Sequence, residues 1–484
     1  MQQAIVIGAG VGGLATAIRM ARMGYSVKVF EATDRPGGKL GEIRGSGFRF
    51  DAGPSLFTLP ELVLELLDSD LQFGVHRLPV ITRYFWRDGM QFDAWADPEA
   101  LCKEAERTTG VPATRLERYL RDTAGVYRLT APVFIFRSLH RLRSLFRRSN
   151  LPALFGLHRL KAFTSLHRHH EKVIGNRYLV QLFDRYATYN GSDPYQTPAT
   201  LRVIAHLEHN LGAWLPDGGM YTIVEALVRQ AERLGVAFYF NTPVEQVHQE
   251  RSRVVGVTAG GGFHQAGVVV NNTDIYQFYS KLMPDARKLR KIGRQQMSSS
   301  AIIFYWGVKG TFPQLDVHNI FFSDDYRKEF DHLFGHYTLA DDPTVYLYIS
   351  SKNSAEDAPE GCENWFAMVN APENRGQSWP DLVAQARSRI LARLEQSLGD
   401  AIASRIVYET HLDPVSIEAR TGSWHGSLYG PSSNSRLSAF QRHPNFSRKV
   451  KGLYFTGGSV HPGGGIPLCL ASAKIVADMV NGDR

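Results

Sequence analysis

Apolar runs and helical patterns alternate from the first residues of the chain. Ala4-Ile5-Val6-Ile7 is uninterrupted apolar sequence and predicts a short buried strand. Ala15 to Met23 sets apolar and small residues at helical spacing, and Val27 to Phe30 predicts a second strand that closes at Glu31. The same short strand signals return at Val236 to Phe240, Val254 to Val257 and Gly267 to Val270, behind a helix over Tyr221 to Leu234. Gly452 to Phe455 predicts a last strand, and Leu468 to Val480 a helix rich in small residues. Between these blocks, residues 75–210 read as mostly helical. Residues 280–405 mix strands (Ser300 to Val308, Thr344 to Ser350, Asn364 to Asn370) with a helix at Leu382 to Ser397.

Strands alternating with helices predict an α/β fold with a Rossmann-type parallel sheet. The nucleotide-binding domain is expected to be discontinuous, from 1–74, 211–279 and 406–484. An α+β substrate domain is inserted twice, as 75–210 and 280–405. No internal repeat or low-complexity linker argues for a further domain.

Gly8-Ala9-Gly10-Val11-Gly12-Gly13 stands between the first strand and the first helix. Gly8 permits the tight turn, Gly10 the approach of backbone to a pyrophosphate, and Gly13 the close packing of helix on strand. Glu31, 18 residues beyond Gly13, suits the ribose hydroxyls of an adenosine. Strand, turn, helix, strand and acid in this order predict dinucleotide binding. A second glycine-rich run, Thr456 to Pro467, precedes the last helix.

The net charge of +8 on 484 residues is unevenly distributed. Thr123 to His170 contains nine Lys/Arg and no Asp or Glu, so the rest of the chain sits at −1. Pro132 to Arg148 is strongly amphipathic if helical. Ile135, Leu139, Leu142 and Phe146 form one stripe, Arg137, Arg141 and Arg148 lie opposite, and Arg143 and Arg147 fill the flank. Such a segment suits an anionic bilayer surface, and a helix packed on its own domain is the plain alternative. Nucleic acid is disfavoured, because no reader motif accompanies the arginines. No apolar run reaches membrane-spanning length, and no leader is expected ahead of the first strand. Cys102, Cys362 and Cys469 match no metal spacing, so no metal is expected, and reduced cytoplasmic thiols are the default.

Arg35-Pro36-Gly37-Gly38-Lys39 resembles the second motif of the flavoprotein family that includes amine oxidases, protoporphyrinogen oxidases and carotenoid desaturases. Phe50-Asp51-Ala52-Gly53-Pro54-Ser55 resembles that family's next element, a backbone turn near the flavin ring, and Thr242-Pro243-Val244 its adenine-contacting segment. His461-Pro462-Gly463-Gly464-Gly465-Ile466-Pro467 resembles the C-terminal signature of bacterial carotenoid desaturases of the phytoene desaturase type. The wider spelling, with Tyr429 to Asn434 and Arg442-His443-Pro444, looks more like the 1-hydroxycarotenoid 3,4-desaturase branch.

The resemblance implies FAD as cofactor and removal of two hydrogens from an acyclic or monocyclic polyene, one as hydride to flavin N5. Phytoene desaturation is the alternative within that chemistry, and amine oxidation or carotenoid escort lies outside it. The implied FAD-binding residues are Gly8, Gly10, Val11, Gly12, Gly13, Glu31, Gly38, Lys39, Gly53, Pro54, Ser55, Val244, Asn272, Gly458, Gly465, Ile466 and Pro467, with Lys39 near phosphate. His461 is a catalytic base, a flavin-ring neighbour or a loop-fixing residue, and Asp51 is read as capping the following turn. A membrane-stored carotenoid gives the basic segment a purpose: docking at the inner face of the cell membrane, with Arg137, Arg141, Leu142, Arg143, Phe146, Arg147 and Arg148 as contacts.

Overall fold

The computed structural model describes residues 2–140, 160–435 and 438–482. At its centre is a five-stranded parallel sheet in the order Leu453–Phe455, Val268–Asn271, Gln3–Ile7, Ser26–Phe30, Ala237–Tyr239. Alternation across Gln3–Ile7 explains its two covered faces. Ala4 and Val6 pack into a core with the helices Val11–Arg22, Thr222–Arg233 and Ile466–Gly482. Ile5 and Ile7 point the other way, onto a three-stranded antiparallel sheet, Val244–Glu250, Arg253–Ala259 and Gly262–Gln265. The apolar continuity of the parallel strands follows from burial on both faces.

The second sheet has seven strands, ordered Ile406–Leu412, Ser300–Lys309, Cys362–Ala371, Val345–Tyr348, His318–Phe321, Val80–Phe85, Gln91–Trp95. Ile302, Phe304 and Trp306 pack with the helix Trp379–Leu398 on one face. Ala301, Ile303 and Tyr305 turn instead toward Phe48 and Phe50 of the strand Phe48–Asp51, so this sheet leans directly on the nucleotide domain.

Two expectations need correction. Ile406–Leu412 was assigned to the nucleotide domain, but it pairs antiparallel with Ser300–Lys309 as an edge strand of the seven-stranded sheet. Its half-buried and exposed positions alternate, as an edge strand with one face inward requires. The stretch 75–210 is mostly helical but also supplies the paired strands Val80–Phe85 and Gln91–Trp95, and Val75–Arg77 pairs across the expected boundary with Trp214–Pro216.

The amphipathic helix expected from Pro132 is not continuous. The helix Ala113–Thr130 runs into a single wide turn, Ala131–Ile135, and residues 136–140 are not helical. Leu139 is buried. Arg141, Leu142, Arg143, Phe146, Arg147 and Arg148 lie outside the described residues. Among the described residues, no helix is long and apolar enough to cross a membrane.

Candidate functional site

The glycine loop emerges from the end of Gln3–Ile7 and turns at once into the helix Val11–Arg22. Gly8 has φ +93°. A Cβ on Gly13 would lie 2.1 Å from the Gly8 carbonyl oxygen, and one on Gly12 would lie 2.7 Å from Asn272 Oδ1. Only glycine lets helix, turn and the end of Val268–Asn271 meet this closely. The first turn of the helix carries no acidic residue, so its unpaired N–H groups are left for an anion.

Glu31 braces this loop: Oε2 accepts from the Ala9 amide at 2.7 Å, and Oε1 from the amide and hydroxyl of Thr33 at 3.0 and 2.9 Å. A carboxylate offers about four lone-pair sites, so acceptor capacity for a vicinal diol remains. The Gly37 amide donates to the Ala9 carbonyl at 2.9 Å, which lays the second glycine run beside the first.

Lys39 stands in the cavity wall with backbone partners. Its ammonium donates to the carbonyls of Ser427 and Leu428 at 2.9 and 2.6 Å, tying the second glycine run to a loop almost 400 positions later. Burial pulls its pKa down to about 8, with Asp274 opposing. It is charged at neutral pH and held by backbone on the C-terminal side of the site. Asp51 does not cap a local turn. It is buried, accepts from Arg49 Nη2 at 2.7 Å, the Met220 amide at 3.0 Å and the Tyr348 hydroxyl at 2.9 Å, and so joins both domains.

The C-terminal run completes the enclosure. Gly457, at φ +100°, crosses Asn272, and a Cβ there would approach Asn272 Oδ1 to 2.9 Å. The helix Ile466–Gly482 begins at the cavity with no acidic residue in its first turn. His461 Nε2 donates to the Arg137 carbonyl at 2.8 Å, and the Asn445 amide donates to the His461 carbonyl at 2.7 Å. These bonds support the loop-fixing role among the three left open. Burial lowers the His461 pKa to about 4, so the ring is neutral, and Nδ1 is buried without a partner.

All the predicted FAD-binding residues except Gly13 line one cavity of about 1730 Å³. Gly13 stands behind it, on the buried side of the helix start. An ordinary ligand cleft holds about 300–1,000 Å³. This cavity therefore has room for a dinucleotide and a second large molecule. Beyond the glycine loops its wall is largely apolar, with Ile303, Ile320, Phe366 and Met368 from the seven-stranded sheet and Phe134, Ile135 and Leu207 from helical segments. FAD fits the residues present. Two helix N-termini and the Glu31 acceptor face the cavity.

A polar group in the cavity wall was not foreseen. Arg185 Nη2 lies 2.8 Å from the Tyr84 hydroxyl and 3.4 Å from Glu208 Oε1, and Tyr186 and Tyr189 donate to the same Glu208 carboxylate. His318 Nδ1 is 2.8 Å from the Tyr346 hydroxyl, which is 2.7 Å from Ser55 Oγ. Only Ser55 carried a sequence signal, because the others come together through sheet and helix packing without any local motif.

The chain matches the family of flavin-containing amine oxidoreductases over residues 11–481. It is 44% identical to the 1-hydroxycarotenoid 3,4-desaturase of Flavobacterium sp. (strain P99-3), covering 99% of each chain. It is 31% identical to the 4,4'-diapolycopene oxygenase of Methylomonas sp, covering 100% of this chain and 98% of the relative. Among solved structures, putrescine oxidase bound to putrescine shares the fold at TM-score 0.65 and 17% identity, covering 100% of this chain and 98% of that one. An oxidoreductase from Methanosarcina mazei does so at TM-score 0.65 and 15% identity, covering 99% and 100%. A Rossmann-type site built from both ends of the chain, a cavity sized for two ligands and full-length relatedness to carotenoid enzymes agree: the chain belongs to the flavin-containing amine oxidoreductase family, in its carotenoid desaturase group, and is an FAD-dependent oxidoreductase.

Proposed function

We propose that this protein desaturates a 1-hydroxylated acyclic or monocyclic carotenoid, introducing a 3,4-double bond. The observation that carries the reading is end-to-end identity of 44% to a relative with that activity in its name, against 31% for the carotenoid oxygenases. Bound FAD supplies the two-electron acceptor for the two hydrogens that leave C3 and C4. The protein's part is to hold a long apolar substrate in register and keep water away from the reacting carbons. The apolar cavity wall supports that role, and the neutral His461 and the carbonyl-bound Lys39 add no free charge to repel a hydrocarbon.

Expression in cells that accumulate phytoene, lycopene or a 1-hydroxylated carotenoid separately tests the proposal through product absorbance and mass. Conversion of the hydroxylated substrate, with loss of two mass units, is the expected result. Conversion of phytoene alone would overturn it.

We further propose that the enzyme works in the cytoplasm, peripherally bound at the inner face of the cell membrane. The carboxylate-free basic segment supports this, as does the partition of such substrates into lipid. Flotation on anionic vesicles is the corresponding measurement.

A further inference from the structure

In the wall of the cavity, His318 is 2% exposed and its Nε2 is buried without a hydrogen-bond partner. The other ring nitrogen is fixed by the Tyr346 hydroxyl at 2.8 Å, and that hydroxyl by Ser55 Oγ at 2.7 Å. His318 and Tyr346 stand on neighbouring strands, His318–Phe321 and Val345–Tyr348, with their rings roughly parallel. Buried polar atoms in a folded protein are nearly always paired, so an orphan nitrogen on a residue that lines a ligand cavity points to a partner supplied by the ligand. Arg185 Nε and the Tyr326 hydroxyl, from two residues that line the same cavity, are orphaned in the same way.

We propose that His318, held by Tyr346 and Ser55, hydrogen-bonds the substrate's tertiary hydroxyl and thereby selects hydroxylated over plain polyenes. The inference rests on the proposed 1-hydroxycarotenoid reading and names the part of the site that enforces it. The imidazole is neutral, because burial lowers its pKa to about 3 and the Arg185 charge adds to the effect. If Tyr346 donates to Nδ1, then Nε2 carries the proton and donates; if Nδ1 donates to Tyr346, then Nε2 accepts. An alcohol can meet either arrangement, and a hydrocarbon neither.

The assignment carries a positional requirement. In a 1-hydroxylated chain only C2 separates the carbinol carbon from the C3–C4 bond, so the hydroxyl's partner has to stand beside the reacting carbons. Ser55 follows Gly53-Pro54, which packs so closely on the second glycine run that a Cβ on Gly53 would lie 2.0 Å from the Lys39 carbonyl oxygen. His318 is two hydrogen bonds from that segment.

The test titrates the purified holoenzyme, in detergent, with a 1-hydroxylated carotenoid and its non-hydroxylated counterpart. Binding is read from polyene absorbance and turnover from anaerobic flavin bleaching. In the native protein the hydroxylated compound should bind more tightly. His318→Leu should shrink the ratio of the two binding constants by about tenfold, the scale of one hydrogen bond. Tyr346→Phe should weaken the ratio in the same direction, and His318→Gln should recover part of it.

Flavin content and melting temperature identify a misfolded variant, and Tyr346→Phe then carries the test. A native preference that survives both His318→Leu and Tyr346→Phe in folded, flavin-loaded protein overturns the assignment and leaves the proposed function standing. A native protein with no preference for the hydroxylated substrate overturns both.

Discussion

At the scale of single residues, Arg49 binds the two domains together. Its guanidinium is buried and meets three carboxylates: Asp51 at 2.7 Å, Glu42 at 3.1 Å and Asp357 at 3.2 Å. Burial raises the pKa of Asp51, against the pull of Arg49, so this carboxylate depends on the guanidinium to remain ionised. Removing one partner of such a buried group costs about 3–5 kcal/mol, because the remaining charges lose their compensation. Arg49→Ala should therefore lower unfolding stability in urea by about that amount. Arg49→Lys should fall short of native stability too, since one ammonium cannot present the planar fork that meets three acceptors. Native stability in both variants would show that the network contributes nothing. None of this was legible in the sequence. Asp51 could be read only against its neighbours, whereas its partners Met220, Tyr348 and, through Arg49, Asp357 arrive from distant segments. Gly13 is the opposite case: its missing Cβ clears the Gly8 carbonyl a few residues earlier, so the glycine spacing alone reveals the crossing.

Elements were legible where burial is two-sided or strictly periodic. The central parallel strands appear as apolar runs, and Trp379–Leu398 starts three residues before the helical pattern suggests. Ile406–Leu412 was misplaced because an edge strand's alternation shows which face is buried but not which sheet it joins. The role proposed for the basic segment rests on its charge. Each Lys or Arg near an anionic bilayer contributes about 1 kcal/mol. Converting Arg141, Arg147 and Arg148 together to Gln should then weaken binding to phosphatidylserine-containing vesicles by roughly 3 kcal/mol, about 150-fold, while binding falls with added salt. Flotation of the triple variant equal to that of the native protein would leave a plain surface segment as the answer.

For the whole molecule, the cavity is the feature that no local reading could supply, since Ser55, Arg185, His318 and Tyr346 share it from four separate segments. The same burial that shapes it sets how the fold responds to acid. His169, His209 and His461 are lowered to about 4, and His318 and His443 to about 3, each chiefly by burial. A histidine whose folded pKa lies below its unfolded value of about 6.5 stabilises the fold fully above that value and loses the contribution as pH falls below it. Glu329 works the other way. Burial raises it to about 7, so the folded state holds its proton as pH drops from 7 toward 4.5. Five protons taken up on unfolding against one released leave a net uptake of about four below pH 6, or roughly 5 kcal/mol per pH unit. Asp51 and Asp274, also raised by burial, oppose the histidines lower on the scale. A fold whose total stability is on the order of 5–15 kcal/mol cannot absorb that slope for long. Urea unfolding of the holoenzyme should show stability falling steeply from about pH 6.5 to about pH 5, with His443→Phe flattening the slope by about one proton. A stability that stays level or rises across that interval would mean these imidazoles take up protons without leaving the fold, and that the cavity wall around His318 admits water.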